Sequence, residues 1–433
     1  MVRSWRGRSI QLGAELRFDA LVTDGHTRAG LAVARSLARQ NVSVLVLGND
    51  SSSPAFHSRY VRHALPAPSP MHQPQAFMEF VRGVVERHKI QLAIPVTDQA
   101  LVLFDQHRKS LGALCKIGMA SEGALRQVLD KRLNLELASR LGVPCARQFE
   151  LEDRRQIPDM IATLGFPIVL KRPGDPIDPN VPKFDFRVLY AHNERELNSY
   201  LDQHCRDGRF PLFQECATGE IHNLCCFAAD GDLLAAHEYQ SIRRLEGAGV
   251  YRKIIQPSPD LMEHAQALLR ALRWDGVAHV GFFVNRPLNR VWYMEINGRF
   301  WASVQGSIHA GWDFPYWTYD YFLNGNRPDP KPIEVGSLTC WHLGDLIALL
   351  NYWRGGEVPA TGTHPSPLRS TLQYLSGFRP NVHCDVFSWA DPLPAFWEYW
   401  QVRKRLLGMI QRRISTAPVP QIAASAAPSH GNR

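Results

Sequence analysis

The sequence predicts an α/β domain of Rossmann-like outline, then an α+β domain built on antiparallel sheet, with an accessory region towards the C-terminal end. Two observations carry this. Near the start, short apolar strands alternate with amphipathic helices, the rhythm of a parallel sheet covered on both faces. Beyond Val143-Pro144, apolar strands follow one another across turns such as Asp230-Gly231, as in antiparallel sheet. A chain of 433 residues is too long for one ordinary core and suits two or three domains of about 100 to 200 residues.

Taken in order, the first strand is expected at Ala20 to Thr23, then the turn Asp24-Gly25 and a helix from about Thr27 through AGLAVARSLAR. The strand VSVLVLG follows, and the unit repeats as FMEFVRGVVERH and LAIPVTD. The turn DGHTRAG lacks one glycine of GxGxxG, and the second strand ends in Gly48-Asn49-Asp50 without a well-placed ribose-binding acid, which argues against a dinucleotide. The helix KRLNLELASRLG closes on Gly142, and a new domain starts near Val143-Pro144. Its strands are FPIVLKRP, FRVLYA, PLFQECATGE, HNLCCFAADGDLLAAHEY, HVGFFVN and VWYMEING. After about residue 330 the text loosens into Pro- and Gly-rich loops with one apolar helix around DLIALLNYW, read as an accessory cap. The expected division is 1–18 flexible, 19–125 Rossmann-like, 126–328 the second domain, 329–414 cap and C-terminal helix, and 415–433 a small-residue tail without order.

Hydrophobic residues at 45% and charged residues at 21% exclude a disordered chain. The net charge of +8 favours an anionic partner, of which a nucleotide is the modest choice. Much of the excess lies at the ends, in Arg3, Arg6, Arg8, Arg17, Arg403, Lys404, Arg405, Arg412 and Arg413, and says little about the site; the expected partners are small molecules and not nucleic acid. Eight cysteines without CxxC spacing read as reduced thiols, and with no spanning segment or apolar leader the expected location is the cytoplasm. The aromatic and basic helix PAFWEYWQVRKRLLGMIQRRI leaves nucleic-acid or membrane-surface contact through Trp397, Trp400, Arg403 and Arg405 as a minor alternative to packing against the cap. Dimers being the commonest assembly of soluble enzymes, a homodimer is the default.

Three local signals carry chemistry in fixed order: a lysine ending a buried strand (Val169-Leu170-Lys171), a Gln-Glu pair closing another (Phe213-Gln214-Glu215), and Glu295-Ile296-Asn297 on a third. A lysine at the rim of an apolar strand is a point charge in low dielectric, suited to phosphate oxygens. Strand alternation puts Glu295 and Asn297 on one face, the paired oxygen donors that Mg²⁺ takes beside phosphates and water. Arg299 falls on that face too, its fork suited to a phosphoryl or carboxylate group; the structural alternative is an ion pair with a neighbouring acid. Thr23-Asp24-Gly25, Arg28 and Thr97-Asp98, at strand ends facing the presumed cleft, are candidates for the substrate pocket.

The order Asp130-Lys131, PIVLKRP, FQECATGE and MEINGRFWAS followed by HAGWDFP resembles the ATP-grasp superfamily over roughly residues 20 to 320, most closely its carboxylate-amine ligases. The resemblance implies a pre-ATP-grasp domain before a two-lobed ATP-grasp domain with antiparallel sheets. It implies Mg²⁺ and ATP, a small-molecule carboxylate and an amine, and an amide formed through an acyl phosphate. Lys131 and Lys171 would then contact phosphates, with Lys183 as an extra contact from the loop GDPIDPNVPKFD. Gln214, Glu215 and Ala217 would line the adenine pocket, and Glu220 would take the ribose. Glu295 and Asn297 would hold the metal, Arg299 would steady the transferred phosphoryl group, and Ser303 would form part of the rim. Gly298 stands where the family often has proline, either residue making the turn. One departure matters: Gly281 stands where the family commonly has another acidic metal ligand, with His279 and Asn285 the nearest substitutes in sequence. Either one magnesium is held by Glu295, Asn297 and phosphates alone, or the chain binds nucleotide without turnover.

Overall fold

In the computed structural model, which describes residues 16–174, 182, 184–205, 208–245, 248–354, 366–400 and 402–403, the chain forms three sheets. The first contains β1 (Ala20–Val22), β2 (Val44–Gly48), β3 (His63–Pro66), β4 (Leu92–Ile94) and β5 (Lys116–Ile117). All pairs are parallel, in the order β3-β2-β1-β4-β5. β1 and β2 are buried at every residue, as strands covered on both faces must be. Strand order reverses between β1 and β4, so a crevice opens at their carboxyl ends.

Both crevice loops lead into capped helices. Thr27 accepts from the Gly30 amide at the start of helix Arg28–Arg39, and Thr97 accepts from Ala100 at the start of helix Asp98–Gln106. A Cβ on Gly30 would sit 2.3 Å from the Asp24 carbonyl oxygen, so this close approach of helix to turn admits only glycine.

The second sheet holds β6 (Gln148–Phe149), β7 (Ile168–Lys171), β8 (Val188–Ala191) and β9 (Leu212–Glu215), antiparallel in the order β6-β9-β7-β8. Helices Ile157–Leu164 and Glu194–His204 supply Met160, Leu164, Leu197 and Leu201 to a separate core with Ile168, Leu170 and Phe213.

The third sheet holds β10 (Glu220–Ala229), β11 (Asp232–Leu245), β12 (Ala248–Ile255), β13 (Gly276–Asn285), β14 (Arg290–Asn297), β15 (Leu338–Cys340) and β16 (Val382–Cys384). Its order is β14-β13-β10-β11-β12-β15-β16, antiparallel except for the last pair. β12 has no counterpart among the expected strands. The region read as a cap is built into this sheet through β15 and β16, while its apolar helix forms at His342–Trp353 as expected.

Residues 393–400 and 402–403 are helical, and residues 401 and 404–414 of the basic C-terminal segment lie outside the described residues. No described helix is long and apolar enough to cross a membrane, and the eight cysteines are free thiols.

Candidate functional site

β7 is buried along Ile168, Val169 and Leu170, and Lys171 emerges at its end half-buried. Helix Lys131–Arg140 begins alongside it: Asp130 caps the helix by accepting from Arg132 and Leu133, and the Lys131 amide donates to the Pro173 carbonyl at 3.1 Å. The same helix is tied to β14 where the Tyr293 hydroxyl donates to Asn134 Oδ1 at 2.6 Å. Lys131, Lys171 and Glu295, drawn from three separate segments, therefore meet.

Their charges show the meeting. Burial, then the neighbouring Lys131, push the Lys171 ammonium down to about 8, and Glu295 opposes them. Burial also lowers Lys131, helped by Arg187 and Arg172 and opposed by Glu295 and Asp98. Burial alone would raise the Glu295 carboxyl; Lys131, the hydrogen bond from Asn297 and Lys171 outweigh it and hold the group below the usual range. Asn297 Nδ2 donates to Glu295 Oε1 at 3.0 Å, leaving the Asn297 oxygen and the second Glu295 oxygen as donors to a ligand. Arg172 and Arg187, which the sequence reading did not single out, make the site more cationic. Arg172 directly follows Lys171, a signal that was available.

Arg299 reaches the first sheet. Its Nε donates to Asp98 Oδ1 at 3.0 Å and its Nη1 to the Phe300 carbonyl at 3.1 Å, so the ion pair expected as its alternative role forms with a residue of the switch-point crevice. His279, opposite Asn297 in the register, is pushed down to about 4 by burial and by Arg299, and is neutral at ordinary pH.

The remaining candidates sit around this cluster. Gln214 is buried on β9. Glu215 accepts from Arg147 Nε at 2.6 Å and from the Arg147 amide at 3.1 Å, and Ala217 follows in the loop after β9. Glu220 is exposed, 4.0 Å from His222 Nε2; strand alternation puts these two on the face away from Asn223, the residue opposite Gly281. Asp24 is buried with φ 59°, takes a bond from Thr23 Oγ1 and accepts from the Thr97 amide at 3.2 Å, fastening one crevice loop to the other. Arg28 points elsewhere: Nη1 lies 2.7 Å from Asp385 Oδ2 and its guanidinium stacks 3.8 Å from the Trp341 ring. Ser303 is buried before helix Val304–His309, its carbonyl accepting from the Tyr239 hydroxyl at 3.0 Å. Lys183 lies outside the described residues. Asn285 is already engaged, donating to Thr218 Oγ1 in the loop before β10 at 3.0 Å and accepting from the Leu288 amide of its own hairpin at 3.1 Å. A Cβ on Gly298 would meet Leu125 and Trp274 at 2.9 Å, so this position is glycine because space is lacking, and proline is not the free replacement that turn chemistry suggests.

Among the described residues no three His, Cys, Asp or Glu side chains cluster as a metal site. The carboxylate of Glu295 and the amide of Asn297 fit a hard divalent cation of the kind that takes one or two protein oxygens beside phosphates and water.

No family model matches the sequence, and no curated protein matches it. Solved structures do. An N5-carboxyaminoimidazole synthetase from Staphylococcus aureus superposes with a TM-score of 0.58 at 15% identity, covering 79% of this chain and 87% of that one. A biotin carboxylase from Campylobacter jejuni, in complex with β-γ-ATP, gives 0.58 at 13%, covering 74% of each. An L-amino acid ligase from Bacillus licheniformis gives 0.53 at 13%, covering 71% of this chain and 74% of that one. At such identities the likeness is one of fold.

Proposed function

From the ATP-grasp fold that the chain shares with these structures, we propose that it is an ATP-dependent ligase joining a small carboxylate to an amine. The observation that supports this most is the convergence of Lys131, Lys171 and Glu295 beside Asn297, with Arg299 reaching from the same strand end to Asp98 at the switch point.

In this reading ATP lies between the four-stranded and seven-stranded sheets, its adenine against Gln214, Glu215 and the Ala217 backbone; Glu220, on the other face of β10 from Asn223, is left out of the ribose role. Lys131 and Lys171 neutralise phosphate oxygens, and burial strengthens their pull. Magnesium held by Glu295 and Asn297 would supply further neutralisation of the phosphates. A substrate carboxylate oxygen attacks the γ-phosphorus, ADP leaves, and an amine displaces phosphate from the acyl phosphate to give the amide. Arg299, its guanidinium paired with Asp98, would hold the transferred group. Asp24 keeps the crevice loops in register, Arg28 anchors the helix behind them, and Ser303 stands at the rim.

A second reading is favoured by Gly281, which faces Glu295 in the register without a carboxylate: a module that binds nucleotide without turnover. ADP release from Mg-ATP with pooled amino acids and small carboxylates, for wild type and Lys171→Ala, separates the two. Release confined to particular pools and lost in the variant supports the ligase. Nucleotide binding weakened by Lys171→Ala, with no release from any pool, supports the module.

A further inference from the structure

Asn223 on β10, Gly281 on β13 and Glu295 on β14 form one row across three antiparallel strands. Residues opposed in such a row project to the same face, so the Asn223 amide and the Glu295 carboxylate flank a position that carries no side chain. That position is open. A Cβ built on Gly281 would meet Asn223 Oδ1 first, at 3.4 Å, then Met294 Cβ at 3.6 Å and the Glu295 carbonyl oxygen at 3.8 Å, all ordinary contacts. Lack of space therefore does not explain this glycine, unlike Gly298. The nearest atom to the empty position is an amide oxygen.

Asn223 is half-buried, and its side chain has no hydrogen-bond partner among the described residues. A partly buried amide on the face that carries Glu295 and Asn297 is an oxygen donor held ready for a ligand. His279 and Asn285, the other substitutes near Gly281, are worse placed. Asn285 is already bonded to Thr218 and to the Leu288 amide, and His279 offers nitrogen, which a hard cation takes less readily than oxygen.

We propose that Asn223 supplies, through Oδ1, the third protein oxygen of the divalent-cation site, reaching in from β10 over Gly281 in place of a side chain on β13. The assignment rests on the nucleotide reading above. It makes Glu295 the only carboxylate among the three donors. With less negative charge than a site holding a second carboxylate, and with Lys131 and Lys171 close by, the site takes its cation chiefly together with the nucleotide phosphates.

The test uses the full chain, ADP and Mn²⁺. Calorimetry gives ADP affinity in EDTA, and Mn²⁺ electron paramagnetic resonance gives metal affinity in the ADP-saturated protein, for wild type, Asn223→Leu and Asn223→Asp. Asn223→Leu is expected to weaken Mn²⁺ about tenfold and Asn223→Asp to tighten it by a similar factor, the size of effect that loss or gain of one group at a metal site produces. ADP affinity in EDTA is expected to stay within about twofold for Asn223→Leu, which also shows that this variant is folded. Unchanged Mn²⁺ affinity in Asn223→Leu, with ADP still bound, would overturn the Asn223 assignment alone. A wild type that binds no ADP with or without metal would overturn the nucleotide reading, and the assignment with it.

Discussion

Lys171 offers a pH test whose size follows from its surroundings. Its ammonium is pushed down to about 8 by burial and by Lys131. Phosphate binding favours the charged form, so nucleotide affinity is greatest below that value and is lost as the pH rises through it. If only the protonated side chain binds tightly, affinity falls by a factor of 1 + 10^(pH − pKa), roughly tenfold between about pH 7 and pH 9. The fall is capped by what the charged hydrogen bonds contribute, about 1.5 to 3 kcal/mol, or about ten- to a hundredfold in affinity. Lys171→Met should lose that factor at about pH 7 and flatten this part of the profile. Because the nucleotide titrates identically in both measurements, the difference between wild type and variant isolates the lysine. Calorimetry in paired buffers of unlike ionisation enthalpy should also show about half a proton taken up by the wild type near pH 8, and less by the variant. The unliganded protein has the opposite dependence: between about 8 and 10.5 the unfolded chain binds a proton that the folded chain does not, so this residue makes stability rise with pH across that window. A Lys171→Met variant with wild-type ATP affinity, or with an equally steep profile, would refute the reasoning.

Three further outcomes are expected. Glu295→Gln removes the charge that supports Lys131 and Lys171, so turnover should need more magnesium and the affinity profile should move to lower pH; normal turnover at low magnesium would count against the metal role. Asp385→Asn leaves Arg28 and Arg252 buried without their counter-charge, which should cost about 3–5 kcal/mol in denaturant unfolding, and an unmoved midpoint would sink that account. Asp98→Asn breaks a partly exposed pair and should change stability by less than about 1 kcal/mol while lowering carboxylate-dependent ADP release; a larger loss of stability with normal release would make the pair structural.

In the first sheet β1, β2 and β4 and the helices between them were legible because each buries its own local pattern; β3 and β5, short and only partly buried edge strands, were not. β10, β11, β13 and β14 were legible for the same reason. β12 was not, because AGVYRKII carries Arg252 and Lys253 where an apolar face is sought, and Arg252 is buried only by virtue of Asp385 far along the chain. β15 and β16 are three residues each, too short to show a period, and exist through pairing with β12 and with each other. At the site, Glu295 and Asn297 could be read from two-residue spacing, and Lys171 from the apolar strand it ends. The Arg299–Asp98 pair spans 201 residues, and the Asn223–Gly281–Glu295 row depends on register between strands that no local pattern relates.

Buried charge adds to the apolar packing behind the first sheet's side of the cleft. Asp385 takes both its oxygens to Arg252 Nη2 at 2.7 Å and one to Arg28 Nη1 at 2.7 Å, and it is fully buried. Arg35, two turns further along the same helix, gives Nε to Asp391 Oδ2 at 2.8 Å and Nη1 to the Val386 carbonyl at 2.8 Å. The chain from Asp385 to Asp391 thus clamps helix Arg28–Arg39, which starts at the switch-point crevice, while Arg252 ties the clamp to the third sheet. The Arg299–Asp98 pair is partly exposed and too weak to hold two sheets together. The two sheets are held by shared apolar cores, Ala20, Val22 and Leu31 lying in one cluster with Cys225, Phe227 and Trp301, and by these buried pairs. The region that read as an accessory cap therefore adds a buried ionic tie, through Asp385, to the apolar packing that joins the first sheet to the third.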